Sequence, residues 1–112
     1  MDTISWQDFE KIDIRTGTII HAETFPEARK PAYKLTIDFG TELGIKKSSA
    51  QITTLYSSEQ LIGQQIIAIV NFPIKQIATF ISECLVLGVY DEQKNVILLQ
   101  PAQKVSNGLK IG

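Results

Sequence analysis

The stretch Tyr33-Lys34-Leu35-Thr36-Ile37-Asp38-Phe39 decides the fold, because its side chains alternate strictly between apolar and polar. Successive side chains of a β-strand point to opposite faces of the sheet, so the odd-numbered residues share one face and the even-numbered residues share the other. Gly40 follows directly and is expected to end the strand. The stretch therefore predicts a strand with one face in a core and the other in water.

Weaker patterns extend this prediction outward along the chain. Residues 12–20 also alternate, and they are expected to form the strand that precedes residues 33–39. Two short helices are expected to begin at serine caps, where a side-chain oxygen can accept a hydrogen bond from a free backbone N–H. The remaining predicted elements are helices at 5–11 and 57–63, strands at 45–52, 65–70, 82–90 and 96–100, loops at 21–31 and 71–81, and turns at 91–95 and 107–108.

The order of these elements indicates the fold class. Five or six short strands, with one helical turn between the third and the fourth, predict an all-β fold: an OB-type Greek-key barrel with short helices. A small β-sandwich also fits the order. A chain of 112 residues is long enough for one domain, 1–112, and too short for two domains with separate cores.

Three segments carry apolar side chains at consecutive positions: residues 66–70, 85–87 and 96–99. A strand with one face in water should alternate, so these runs predict burial on both faces. One face would lie in the core, and a second copy of the chain is the simplest cover for the other. The alternative is that the amino-terminal helix or the carboxy-terminal tail covers it within one chain.

The charge is almost balanced, with 11 basic and 12 acidic side chains and a formal net charge of −1. Its distribution is uneven, because residues 1–27 are mainly acidic and residues 29–47 are mainly basic. A local positive field can attract phosphate even on a nearly neutral molecule, since screening limits charge effects to about 8–10 Å. The alternative is a solvated charged face. The basic segment contains Arg29, Lys30, Lys34, Lys46 and Lys47.

Catalytic chemistry finds no support in the sequence. His21 is the only histidine and Cys84 the only cysteine, which excludes a zinc site of Cys and His ligands within the chain. No phosphate-binding glycine motif and no nucleophile elbow are present. We therefore expect no enzyme, no cofactor and no metal. The amino terminus lacks a signal-peptide pattern and no apolar run could span a membrane, so no membrane insertion and a cytoplasmic location are expected.

A set of ordered motifs runs along the chain: Asp8-Phe9 with Asp13-Ile14-Arg15-Thr16-Gly17, Pro26-Glu27-Ala28-Arg29-Lys30, Leu35 to Gly40, Ser49-Ala50-Gln51-Ile52, Asn71-Phe72-Pro73 and Leu98-Leu99-Gln100-Pro101. Together they resemble the tRNA-binding domain family from end to end. Within that family, residues 49–52, 71–73 and 85–88 and the ending at 107–112 look most like the export-related bacterial chaperones.

The resemblance implies an OB barrel that dimerises through its strands and its terminal extensions. It also implies contact with the outer corner of tRNA and, for the chaperone branch, binding of unfolded preproteins. OB barrels commonly bind ligands on the face of strands 2 and 3 and on nearby loops. The candidate nucleic-acid contacts are Arg29, Lys30, Lys34, Lys46, Lys47, Asn71, Lys75 and Ser82, and the candidate peptide contacts are Phe72, Phe80 and Leu85.

Two functions remain open from the sequence. The loop at residues 74–81 carries one charge, where the family usually has a basic loop with glycine. Fewer cations weaken the RNA interpretation, while more apolar residues favour a peptide site. The chain is therefore expected to be either a homodimeric chaperone that also binds tRNA or a dedicated tRNA-binding protein without chaperone activity.

Overall fold

The computed structural model describes all 112 residues. Strands make up most of the regular structure, and every helix is short. The elements in chain order are α1 (Trp6–Glu10), β1 (Ile14–Thr24), β2 (Tyr33–Asp38), α2 (Gly40–Leu43), β3 (Ile45–Ala50), α3 (Ser58–Leu61), β4 (Gln65–Ile69), β5 (Lys75–Ile77), β6 (Phe80–Ser82), β7 (Leu85–Val86), β8 (Gly88–Tyr90) and β9 (Val96–Leu98). No helix combines the length and the apolar character that a membrane span requires.

Five strands form one antiparallel sheet in the order β3-β2-β1-β4-β7. The two edge strands of this sheet approach each other. The Ser48 hydroxyl donates to the Cys84 carbonyl at 2.9 Å, and the Glu83 N–H donates to the Lys47 carbonyl at 2.7 Å. The sheet is therefore a nearly closed barrel with a helical turn between its third and fourth strands, which confirms the predicted OB-type fold.

The alternation of residues 33–39 holds in the structure. Tyr33, Leu35 and Ile37 are buried and the intervening residues of β2 are half-buried. Phe39 continues the inward face and is 1% exposed. A Cβ atom on Gly17 would lie 2.8 Å from the side chains of Ile37 and Phe39, so glycine is needed where these two side chains cross β1.

The predicted loop at residues 21–31 was wrong in its first part. β1 continues to Thr24, which pairs with Tyr33, and the register shifts between Ile19 and His21. A β-bulge of this kind places one extra residue in the strand and increases its bend, so the strand can follow the curve of the barrel. The alternation breaks at the bulge, which explains why the sequence pattern stops at Ile20.

Two further elements differ from the prediction. The predicted loop at residues 71–81 contains the strand β5 and most of β6, which form a separate two-stranded hairpin. The predicted strand at residues 82–90 is divided, because residues 83–84 turn toward β3 and Leu87 belongs to neither β7 nor β8. The Leu87 N–H still donates to the Ile67 carbonyl of β4, while its carbonyl accepts from the Leu99 N–H. Beyond this point β8 and β9 pair as a second hairpin.

The carboxy-terminal tail is attached to β4 and to β1. The Gln65 side chain donates to the Val105 carbonyl and accepts from the Val105 N–H. The same carboxy-terminal segment continues along β1, where the Gly108 N–H donates to the Thr16 carbonyl at 2.7 Å. The tail is therefore fixed beside β4 and β1, and in the single chain the apolar run at residues 66–70 is buried at Ile66, Ala68 and Ile69 and half-buried at Ile67 and Val70. The apolar side chains of β7, β8 and β9 remain partly exposed.

Candidate binding cleft

A cleft of about 640 Å³ opens between the end of β3, the β5–β6 hairpin and the strands β7 to β9. Eleven of the eighteen residues that line it are hydrophobic. The cleft exists because the barrel closes incompletely between its edge strands, and the two hairpins rise on either side of the gap. Its apolar walls include Phe72, Pro73, Leu85, Leu87, Tyr90 and Leu98.

A smaller groove of about 230 Å³ adjoins the cleft. Both are lined by Gln51, Ile52, Lys94 and Val96, so they lie side by side. The cleft contains two cations, Lys75 and Lys94. A third cation, Lys30, lines the smaller groove. No carboxylate lines either space, although the chain has one more acidic than basic side chain. The charged groups in the lining are therefore all positive, on a protein that is nearly neutral as a whole.

The lysine that lines only the smaller groove is Lys30, one of the predicted phosphate contacts. The loop after β1 carries it, and it is exposed, as is its neighbour Arg29. Arg29 lines neither space. The basic segment at residues 29–47 thus contributes one cation to the lining.

The wall formed by the β5–β6 hairpin rests on a small aromatic cluster. Phe80 is buried and its ring centroid lies 5.4 Å from that of Phe25, with Ala32 completing the cluster. The Lys34 ammonium lies 4.8 Å from the Phe25 ring centroid and 5.7 Å from that of Phe80, within cation–π range. Phe80 and Lys34 therefore hold the hairpin in place, and neither lines the cleft.

The two lysines of β3 lie on opposite faces of that strand. Lys46 pairs with the buried Ile37, whereas Lys47 pairs with Thr36 on the outer face. The Lys47 backbone N–H donates to the Glu83 carboxylate at 3.0 Å. Neither lysine lines the cleft or the groove, so the structure does not gather the predicted cations into one cluster.

Two predicted polar contacts make intramolecular hydrogen bonds. The Ser82 hydroxyl, which lines the cleft, accepts from the Ser49 N–H at 3.1 Å and joins β6 to β3. The Asn71 side chain accepts from the Asp13 N–H at 2.9 Å and donates to the Lys11 carbonyl at 2.7 Å. Asn71 thus fixes the start of the hairpin segment, next to Phe72, against the link between α1 and β1.

Of the predicted residues, the structure brings Phe72, Lys75, Ser82 and Leu85 into the cleft and Lys30 into the adjoining groove. Sequence reasoning missed the aromatic ring of Tyr90, the amide of Gln51 and the ammonium of Lys94. Residues 91–95 were predicted only as a turn, and a lysine in a turn carries no signal that it faces a ligand.

Cys84 also lines the cleft but is only 7% exposed. Burial raises the pKa of its thiol to about 12, so the thiol is neutral and a poor nucleophile at physiological pH. No group of three or more His, Cys, Asp or Glu side chains is arranged to hold a metal ion. The arrangement can bind extended ligands through apolar contact and positive charge.

The chain matches the family model described as "Putative tRNA binding domain" over residues 14–110. Among curated proteins it is similar to methionine–tRNA ligases. It is 36% identical over 107 residues to the ligase of Methanococcoides burtonii, covering 96% of this chain and 15% of the ligase. It is 32% identical over 110 residues to that of Porphyromonas gingivalis, covering 98% and 16%. The chain therefore spans only about one sixth of the length of these ligases.

Solved structures give a closer likeness. The chaperone CsaA from Bacillus anthracis superposes with a TM-score of 0.93 at 56% identity, covering 99% of this chain and all of that one. The CsaA chaperone protein from Picrophilus torridus gives 0.92 at 54% identity, covering 98% and 100%. A MetRS-related protein from Pyrococcus horikoshii gives 0.88 at 23% identity over the whole of both chains, which bears on the fold alone. These likenesses confirm the chaperone branch expected from the sequence, and the chain belongs to the tRNA-binding domain family.

Proposed function

We propose that this chain is a CsaA-like, homodimeric and non-catalytic binding protein of the cytoplasm, which holds unfolded exported proteins and also binds tRNA. Residues 1–112 would act as a single domain in each subunit. The observation that carries the proposal is the cleft, which combines apolar walls with lysines and lacks any carboxylate.

Each feature of the cleft suits one part of these ligands. An unfolded polypeptide exposes apolar side chains that the walls at Phe72, Leu85 and Leu98 can cover, at about 25 cal/mol for each Å² removed from water. An RNA exposes phosphates that Lys30 and Lys75 can neutralise with release of counterions. The space of about 640 Å³ lies within the range of ordinary ligand sites.

The decisive experiment is a filter-binding titration with tRNA and with an unfolded preprotein, each competed by the other. We expect both to bind and each to displace the other, because they share the cleft. Phe72→Ala should weaken preprotein holding about tenfold through lost apolar contact. Ile62→Ala is the matched control, since Ile62 is 51% exposed and lies outside the cleft. Failure of the preprotein to bind would leave only the tRNA function.

The tRNA arm has its own signature. The logarithm of the binding constant should fall linearly with the logarithm of the salt concentration. Lys30→Ala and Lys75→Ala should each reduce that slope by about one unit, whereas Lys104→Ala, which removes an exposed lysine outside both spaces, should not. An affinity independent of salt would contradict the proposal.

The homodimer is proposed from exposed apolar side chains that do not line the cleft. Val89 and Ile97 are cross-strand neighbours on the β8–β9 hairpin and are 50% and 42% exposed. Trp6, on a helix without any buried residue, is 63% exposed. Surfaces of this kind are typical of subunit contacts.

Sedimentation equilibrium at micromolar concentration tests the dimer. We expect twice the single-chain mass for the protein as it stands. Ile97→Glu and Trp6→Glu should shift it toward the single-chain mass, because each places a charge in the proposed contact. A stable species of single-chain mass in the unaltered protein would exclude the dimer.

The second candidate is a dedicated tRNA-binding protein that recognises the outer corner of tRNA and has no chaperone activity. The observation that favours it is the set of three lysines, Lys30, Lys75 and Lys94, in a lining without a carboxylate. An assay of aggregation suppression with an unfolded preprotein separates the two candidates, since only the chaperone lowers light scattering.

A further inference from the structure

The junction between the two spaces is built by the turn of the β8–β9 hairpin. Lys94 lines both the cleft and the smaller groove, so this residue lies between them. Lys30 lies on the side of the smaller groove and Lys75 on the side of the cleft. A ligand that follows the whole path therefore passes three cations in succession.

The position of Lys94 is fixed by its backbone. Its φ angle is 64°, in the left-handed region that ordinary residues adopt uncommonly. The Asp91 carboxylate accepts from the N–H groups of Gln93 and Asn95 at 2.9 and 2.8 Å, and the Lys94 N–H donates to the Asp91 carbonyl at 3.0 Å. The turn is therefore tightly hydrogen-bonded, and Lys94 extends from a defined point.

The hairpin below the turn is attached to the barrel. The Leu98 N–H donates to the Tyr56 hydroxyl at 3.1 Å, and the Tyr33 hydroxyl donates to the Tyr56 carbonyl at 2.7 Å. Tyr56 thus links β9 to the buried end of β2. The wall that carries Lys94 is held by the fold and does not depend on a ligand for its position.

Two exposed aromatic rings stand along the same path. Tyr90 lines the cleft and is 77% exposed, and Phe72 lines it and is 49% exposed. A charged groove that follows a phosphate backbone, with aromatic side chains on which bases stack, is typical of sites for single-stranded nucleic acid. A groove of about 230 Å³ offers little room for a paired helix, and unpaired bases can be splayed apart to enter it.

We propose that the cleft and the smaller groove form one path for a single-stranded RNA segment. Its phosphates follow Lys30, Lys94 and Lys75, and its unpaired bases stack on Tyr90 and Phe72. This inference rests on the proposed tRNA binding and deepens it, because it assigns the cleft to an unpaired segment of RNA and not to a paired corner. The three lysines in a lining without a carboxylate favour this polyanion over a polypeptide.

The test uses a fluorescein-labelled eight-nucleotide RNA of uridines and cytidines, alone and annealed to its complement. Fluorescence anisotropy is measured between 50 and 200 mM salt with the full chain. We expect the single strand to bind at least tenfold more tightly than the duplex. Lys94→Gly keeps the turn, because glycine favours a positive φ, and should flatten the salt slope by about 0.7, the value for one phosphate of a single strand.

A matched pair of variants tests stacking. Tyr90→Ala should weaken single-strand binding about tenfold, and Tyr90→Phe should retain it, since stacking on one aromatic ring contributes about 1–3 kcal/mol. Lys104→Ala serves as the charge control. Unchanged far-UV circular dichroism of each variant shows that the barrel is folded.

The outcomes separate this inference from the proposed function. Normal tRNA binding with equal affinities for single strand and duplex, or with an unaltered slope in Lys94→Gly, overturns the single-strand path and leaves the proposed function standing. Absence of both tRNA and oligonucleotide binding in the unaltered protein overturns the single-strand path and the tRNA part of the proposed function. If the protein binds an unfolded polypeptide and no oligonucleotide, the path is a peptide site and the inference is overturned.

Discussion

The strands β1 to β3 and the segment at residues 72–98 contain the same kinds of apolar residue and use them differently. In the first region Ile19, Leu35 and Ile37 are each 0% exposed. In the second, Phe72 and Leu85 are 49% and 45% exposed. The first region therefore supplies the core, and the second keeps apolar side chains on the surface, where they form one side of a cleft.

The sheet topology explains the difference. β2 lies between β1 and β3 in the five-stranded sheet, so its inner face is enclosed by neighbours on both sides. The segment at residues 72–98 forms strands of two or three residues, and four of these five strands lie in separate two-stranded hairpins. A hairpin outside a larger sheet cannot enclose both of its faces. Its apolar side chains are then available to a ligand or to a second subunit.

Two leucines give the largest test of this contrast. Leu35→Ala should lower the free energy of unfolding by about 3–5 kcal/mol, because it opens a cavity in the core cluster of twelve buried residues. Leu85→Ala should lower it by less than about 1 kcal/mol, because that side chain is already half in water. The measurement is urea denaturation followed by circular dichroism at one protein concentration.

The same two variants should differ in the opposite sense in binding. Leu85→Ala should reduce preprotein holding at a temperature where the variant is fully folded. Equal losses of stability in the two variants would show that Leu85 belongs to the core, and the proposed division of the molecule would fail.

Two phenylalanines sharpen the comparison within one hairpin segment. Phe80→Ala should lower the free energy of unfolding by about 3 kcal/mol, at the low end for phenylalanine, because its cluster has only three buried residues and can partly collapse. Phe72→Ala should change stability by less than about 1 kcal/mol and should affect binding instead. The measurements are denaturant midpoints and preprotein affinity for both variants. Binding lost in Phe80→Ala with no change in stability would place Phe80 in the site.

The strands β1 to β3 were easier to predict from the sequence than the segment at residues 72–98. Strict alternation identified β2, because a strand with one buried face imposes a period of two on its sequence. The β5–β6 hairpin was missed because its pattern has no such period: Gln76 and Ile81 are cross-strand partners and both are exposed. The bulge after Ile19 hid the end of β1 for a related reason, since an extra residue changes the face of every residue that follows.

The sequence predicted some residues of the candidate cleft correctly and others wrongly. Phe72 and Lys75 were expected from the family resemblance, and both line the cleft. Lys34 and Phe80 were expected in the same site, but they pack against each other behind the hairpin wall. A sequence does not show whether an aromatic ring stacks on a ligand or on a lysine of its own chain. Lys94 was missed because its proposed role depends on two spaces that lie on either side of a turn.

Asn71 joins the two regions and predicts a smaller effect. Its side chain bridges the Lys11 carbonyl and the Asp13 N–H, which precede β1, while its backbone begins the hairpin segment. Asn71→Ala should lower the free energy of unfolding by about 1 kcal/mol, the contribution of one or two exposed hydrogen bonds. Hydrogen exchange of the Asp13 amide should accelerate. Asn71→Asp keeps the acceptor for the Asp13 N–H and loses the donor to the Lys11 carbonyl. In this variant the Asp13 amide should still exchange slowly, while the free energy of unfolding falls. Unaltered exchange in the alanine variant would mean that the two regions are not joined at this point.

The smallest effect tests whether α1 belongs to either region. The pKa of Asp8 lies below its ordinary value of 3.8, because its carboxylate accepts a hydrogen bond from the Ser5 backbone N–H at 3.1 Å and the adjacent Ser5 side chain lowers it further. A carboxyl group with a lowered pKa stabilises the folded form above its unfolded pKa, and this contribution is lost as the pH falls through the folded value. The capping box should therefore be intact at neutral pH and open only below pH 3.8.

Trp6 allows this opening to be followed separately from the barrel. It is the only tryptophan, and its ring centroid lies 5.3 Å from that of Phe9 within the same short helix. Its fluorescence should change with a midpoint below 3.8, while circular dichroism of the barrel strands stays constant over the same step. Ser5→Ala removes one of the two hydrogen bonds of the capping box and should move the midpoint up toward the ordinary value. A fluorescence change that coincides with loss of the barrel signal would instead show that α1 is part of the cooperative core, although none of its residues is buried in the single chain.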